Sequence, residues 1–204
     1  MSTTILWYSS RAVGVVSLVL FTAVVVLGIA TAGRAASDAF PRAAVLRLHR
    51  TLSITATAFI AVHIATAILD SYVSISFWDI VVPFGSAFDP FWIGLGAVAI
   101  DLLIAIGVTS AFRRRLSLRA WRAVHFSAYA MWPIALLHGF GVSGGDGQQR
   151  WMIALDVVCI AAVLAALAFR LRPDRHPDTI ARLSDGAADR PRGTRRDSVM
   201  TASS

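Results

Sequence analysis

Five near-continuous apolar runs set the limits on this fold. Each is about 20 residues long, enough at about 1.5 Å per residue to cross a hydrocarbon core of about 30 Å as a helix. They cover about Ala12 to Ala32, Ala44 to Ile68, Phe91 to Phe112, Ala120 to Val142 and Trp151 to Phe169. Lipid offers the backbone no water, so each run must satisfy its own peptide groups as a helix. The expectation is an all-α, polytopic integral membrane bundle of five transmembrane helices over residues 1–170. Five spans leave little of the 204 residues for a soluble catalytic domain. From Arg170 onward Pro, Asp, Ser, Gly and Arg dominate, so residues 171–204, with His176, read as a disordered basic cytoplasmic tail. Ala30-Thr31-Ala32 resembles a signal-peptidase site, but the apolar run before it exceeds the roughly 7–15 residues of a signal h-region. The first run therefore reads as a retained span.

Charge gives the orientation. All 19 basic residues are arginines, a usage that suggests a GC-rich bacterial genome, and the formal charge is +7. Nucleic-acid binding is not indicated, because the arginines gather in short loops and the tail, as membrane topology requires. Nine lie around the first-to-second and third-to-fourth connections: Arg34, Arg42, Arg47, Arg50, Arg113, Arg114, Arg115, Arg119 and Arg122. The opposite side carries only Arg11 and Arg150, with Asp70, Asp79, Asp89 and Asp146. The positive-inside rule then places the N-terminus outside and the tail in the cytoplasm of a bacterial inner membrane.

Four of the five histidines fall inside the apolar runs, where an unpaired ionisable ring is costly and marks function. His49 and His63 are 14 residues apart on the second run. That step returns the second ring to within roughly 40° of the first, about 21 Å along the axis. His125 and His138 are 13 apart on the fourth run, about 19–20 Å along a helix of the same polarity. Side by side, the two runs align His49 with His125 and His63 with His138. Two levels of facing imidazoles suit two bis-histidyl b-type haems, whose iron then has no open position and favours electron transfer. A 13-residue step on an ideal helix leaves the rings roughly 140° apart, so a distortion near Trp132-Pro133 is required.

The paired histidine spacings and the Leu46-Arg47-Leu48-His49-Arg50 stretch together resemble the ferric reductase-like transmembrane domain over about residues 10 to 170. Relatives of that family include NADPH oxidases and the haem subunit of bacterial methionine sulfoxide reductase systems. The resemblance implies that His49 and His125 ligate the cytoplasmic-side haem and His63 and His138 the outer one. Members that work alone append flavin and NAD(P)H domains after the last helix, and many have six spans. With about 35 tail residues here, the resemblance implies a separate electron donor: a flavoprotein, a quinol or another membrane component.

Other features carry lesser expectations. Arg47, Arg50 and Arg122 flank the inner histidines and could pair with haem propionates or simply anchor the topology. Asp101, mid-way along the third span, reads as a buried acid, either a proton carrier or a hydrogen-bond partner of a facing side chain. Asp156, nearer a span end, reads as structural, and Cys159 as a small core residue. Gly139 to Gly144 matches G-x-G-x-x-G but has no preceding strand, so it reads as an outer turn and not a dinucleotide site. The apolar linker over residues 70–90 is too broken for a span and is expected to lie in the outer interface or cap the outer haem.

Taken together, the sequence reads as a conduit moving single electrons from a cytoplasmic-side donor to an outer-face acceptor, ferric iron or a periplasmic redox protein. Two alternatives stand beside it: a haem-binding subunit of a two-protein reductase such as a methionine sulfoxide repair pair, and a haem-free membrane scaffold or transporter.

Overall fold

The computed structural model describes residues 2–32, 41–70, 75–144 and 149–171. The tail and His176 lie outside them, as do the tail's expected disorder and the proposed signal-peptidase context beyond Ala32. All elements fall within the unit Met1–Arg170. They are α1 (Ser2–Ala32), α2 (Arg42–Leu69), α3 (Phe77–Val81), α4 (Pro90–Ala111), α5 (Leu118–Phe126), α6 (Ala128–Val142) and α7 (Arg150–Arg170), with a 3₁₀ turn at Arg113–Arg115. Among the described residues, four helices are long and apolar enough to cross a membrane: α1 over Ile5–Thr31, α2, α4 and α7. Hydroxyls inside these spans close onto the carbonyl a turn earlier, as Ser17 does on Val13 (2.7 Å), Ser53 on His49 (2.7 Å) and Thr57 on Ser53 (2.8 Å). Each polar group is thereby satisfied within its own helix.

The fourth apolar run is two helices and not one continuous helix. Ser127 ends α5: its N–H bonds the Val124 carbonyl at 3.0 Å, and its Oγ bonds the same oxygen at 2.6 Å. This i→i−3 closure is a tighter turn than an α-helix makes, and the competing hydroxyl takes the carbonyl that would otherwise continue the ladder. The distortion expected at Trp132-Pro133 therefore falls at Ser127. Pro133 sits inside α6, which runs on through it. Proline is tolerated in membrane helices where neighbours and local adjustment compensate the lost bond.

Helices α1 and α2 form an antiparallel pair, α4 lies on α6, and α7 packs on α1. Between the two histidine levels the bundle closes in a buried layer of Phe21, Ala56, Met131 and Trp132. Trp132 Nε1 donates to Thr22 Oγ1 at 3.0 Å, a buried bond joining α6 to α1. Cys159 is buried in this core, as expected of a small apolar side chain.

At the end of the bundle expected to face outward, α3 starts where Asp79 accepts the Ser76 N–H at 2.8 Å, and it packs on α4. Helix α6 stops at Ser143, followed by Gly144 at φ 54°. That left-handed position after a helix C-cap is one glycine occupies without steric cost, which accounts for the glycine motif as a helix terminator.

Candidate functional site

The structure brings the four membrane histidines together in two pairs. The ring centroids of His49 and His125 are 6.4 Å apart at an interplanar angle of 67°. Those of His63 and His138 are 6.5 Å apart at 79°. Among the described residues there is no group of three or more His, Cys, Asp or Glu placed to hold a metal ion. Each level is thus a pair of facing imidazoles among the described residues.

Three of the histidines are held by one repeated device. His63 Nδ1 lies 2.8 Å from the Ser10 carbonyl, His49 Nδ1 3.1 Å from that of Val24, and His138 Nδ1 2.8 Å from that of Trp92. A carbonyl can only accept, so Nδ1 carries the proton in each ring and Nε2 is left with its lone pair. In every case the residue four positions after the accepting carbonyl is a glycine: Gly14, Gly28 and Gly96. Side chains on a helix lean toward its N-terminus, so a Cβ at that place would crowd the ring as it reaches the carbonyl. The crowding is graded. A Cβ would stand 2.7 Å from His138 Cε1 at Gly96, 3.1 Å from His63 Cε1 at Gly14 and 3.5 Å from His49 Cε1 at Gly28.

His125 is held differently. Its Nδ1 is buried with no hydrogen-bond partner among the described residues. Its ring instead stacks on Trp121, one turn back on α5, at 4.9 Å between centroids and 21° between planes. The Arg113 guanidinium covers the other ring of this column, 4.5 Å from the Trp121 centroid. Arg47, Arg50 and Arg122, expected to flank the inner pair, are exposed, while Arg113, read from the sequence only as a topology anchor, stands over the stack.

A cavity of about 710 Å³ opens at the His63–His138 pair and is lined by these two rings together with Arg11, Asp79, Phe88 and Asp156. Part of the 70–90 linker thus borders this cavity; residues 71–74 lie outside the described set. Arg11 Nη2 donates to the Ser143 carbonyl at 2.5 Å and to that of Val142 at 3.5 Å, while its guanidinium rests 4.5 Å from the Trp7 ring centroid. It thereby ties α1 to the last carbonyls of α6, where a cation also meets the negative end of the helix dipole. Asp156 is buried and faces this cavity. Asp101, expected to be buried, lies instead on the exposed face of α4 with Ile104 and Val108. Its helical position turns it away from Gly96, which faces His138.

Sequence reasoning missed the glycine seats, Trp121, Arg113 and Arg11. For the first there was a signal: Gly14 and Gly28 are separated by the same 14 residues as His49 and His63, the pattern an antiparallel helix pair needs to present two matched seats. Trp121 stands one turn from His125 on the same face, a spacing that brings two rings into contact.

No curated protein and no solved structure matches the chain. The family model of the ferric reductase like transmembrane component matches residues 13–136. The matched stretch contains His49, His63 and His125 and ends two residues before His138. With more than half of the chain matched, this protein belongs to the family of ferric reductase like transmembrane components.

Proposed function

We propose that this membrane electron-transfer component carries single electrons across the bilayer through two b-type haems, one ligated by His49 and His125 and the other by His63 and His138. The family's transmembrane domains generally bind haem. The observation that carries the two-site reading is the ring spacing. Two imidazole nitrogens on opposite sides of a metal at about 2.0–2.1 Å, each about 1.1 Å from its ring centre, need centroids about 6.3 Å apart. The two pairs stand at 6.4 and 6.5 Å. Nδ1 is committed to a carbonyl in three of the four rings, which leaves the Nε2 lone pair available as the ligand. Held by two histidines, a haem at each level would supply a one-electron iron couple.

The chain's own residues do the rest. His49 and His63 sit on one continuous helix and hold the two levels about 21 Å apart along its axis. The layer of Phe21, Ala56, Met131 and Trp132 fills the space between them and keeps water out. In this reading α5 and α6 together make the fifth crossing, the N-terminus is outside, and residues 171–204 form a cytoplasmic tail. Electrons enter at the arginine-rimmed His49–His125 level of a bacterial inner membrane from a separate flavoprotein or a quinol. They leave at the His63–His138 level, beside the outer cavity, to ferric iron or a periplasmic redox protein.

The test is a dithionite-reduced minus oxidised absorbance spectrum of the purified, detergent-solubilised protein, with haem-to-protein stoichiometry. Two b-type haems per chain are expected. A folded protein without reducible b-type bands is instead a haem-free membrane scaffold, and the proposal falls.

A further inference from the structure

We infer that Gly96 and Gly14 are positioning residues that set the electronic character of the outer ligand pair by keeping two helical carbonyls open to His138 and His63. The inference deepens the two-haem reading and rests on it. Three independent occurrences carry it, on two different helices: a histidine Nδ1 at 2.8–3.1 Å from a carbonyl, with glycine four residues beyond. An in-helix carbonyl has two lone pairs and already accepts from the N–H of that glycine, so the imidazole takes the second. The bond fixes the tautomer and ring plane, and it makes the ring a more basic ligand. A more basic ligand favours the oxidised metal and lowers its reduction potential. At the outer level both rings are seated in this way, and at the inner level only His49 is.

The contact distances turn this into an ordered series. At Gly96 an added methyl would meet three His138 ring atoms at 2.7 to 3.1 Å, which the ring can relieve only by leaving the Trp92 carbonyl. At Gly14 it would meet His63 at 3.1 Å, a contact that a shift of a few tenths of an ångström relieves at the expense of the bond to Ser10. At Gly28 the nearest atom of His49 is 3.5 Å away, ordinary van der Waals contact, so the seat survives. Alanine is also the better helix former at all three positions, so the helices themselves are not weakened.

The experiment is a potentiometric titration of both haems in the full-length holoprotein, with low-temperature electron paramagnetic resonance, which reads the angle between the two axial ring planes. Gly96→Ala is expected to raise the potential of one haem, to change that haem's resonance, or to release it while the other haem stays. A tenfold loss of preference for the oxidised state corresponds to about 59 mV for one electron. Gly14→Ala should move the same haem by less, and Gly28→Ala should leave both at wild-type values. If Gly96→Ala and Gly14→Ala keep two haems with unshifted potentials and unchanged resonances, the inference is overturned. It is equally overturned if Gly28→Ala moves its haem as far as Gly96→Ala does, since bulk near the helix and not the seat would then be responsible. Should Gly96→Ala not accumulate in folded form, Gly14→Ala decides: a shift confined to one haem supports the seats, and none overturns them. Failure of the two-haem reading looks different, because it shows in the wild-type spectrum before any substitution is made.

Discussion

The His63–His138 and His49–His125 levels, outer and inner in the proposed orientation, have nearly the same ring spacing, 6.5 and 6.4 Å, yet they reach it by different means. His63 and His138 are each fixed to a neighbouring helix by a 2.8 Å bond to a carbonyl. At the inner level His49 has such a bond at 3.1 Å, while His125 leans on Trp121 under the Arg113 guanidinium. A hydrogen bond constrains direction as well as distance, whereas ring stacking leaves the ring free to slide and turn in its plane. The outer pair is thus the more tightly oriented, and the inner pair keeps one adjustable ligand.

The sharpest way to break this comparison is to remove ligands level by level. His63→Ala or His138→Ala should each cost about one haem of two, and the double variant no more than that. His49→Ala or His125→Ala should empty the other level. Haem-to-protein ratios from pyridine haemochrome spectra measure this, and a single substitution that empties both levels would show that the two are not separate sites.

Trp121→Ala tests the stack. The inner haem should bind about 10–100-fold more weakly, the usual cost of losing a group that orients a metal ligand, with the outer haem unaffected. Haem transfer to apomyoglobin, followed by absorbance, reads the two levels separately. Equal loss from both would contradict a local role for Trp121.

Smaller effects separate the outer rim from the shared core. Arg11→Gln removes a charged donor from the end of α6 and should lower stability by about 1.5–3 kcal/mol, seen as a lower midpoint of thermal unfolding in detergent. Smaller still, Thr22→Val takes the acceptor from Trp132 Nε1. Interhelical bonds of this kind in membranes are worth about 0.6 kcal/mol and at most about 1.7. Because this bond lies between the levels, the loss should not favour either haem, and a selective loss of one would show that the core layer belongs to that level.

Much of the fold was legible because lipid leaves so few choices. Run length gave α1, α2, α4 and α7 to within a few residues, except that α1 begins at Ser2, well before the apolar run, since polar residues at a membrane surface extend a helix without showing in hydropathy. The paired spacing of the histidines announced which rings could face each other, because helical periodicity fixes their directions. The break in the fourth run was deducible as a need but was assigned to Pro133, where the residue type pointed. It lies at Ser127, where a hydroxyl competes for a carbonyl, a choice that depends on tertiary packing and leaves no periodic trace. Asp101 was misplaced for a related reason: its position along α4 is plain from the sequence, but the face it occupies depends on which neighbours α4 packs against.

The turn at Ser127 also bears on how the protein meets membranes of different thickness. A helix too long for its bilayer tilts, and the adjustment costs fractions of a kcal/mol per ångström of mismatch. On α2, tilt must move His49 and His63 together as points on one rod. On the facing side, His125 and His138 sit on two helices that meet at Ser127, so tilt need not move them together. That joint lies two residues from His125, the one of the four membrane histidines without a carbonyl seat among the described residues. A thicker or thinner bilayer should perturb the inner haem's spectrum first, and nanodiscs of graded acyl-chain length would reveal it.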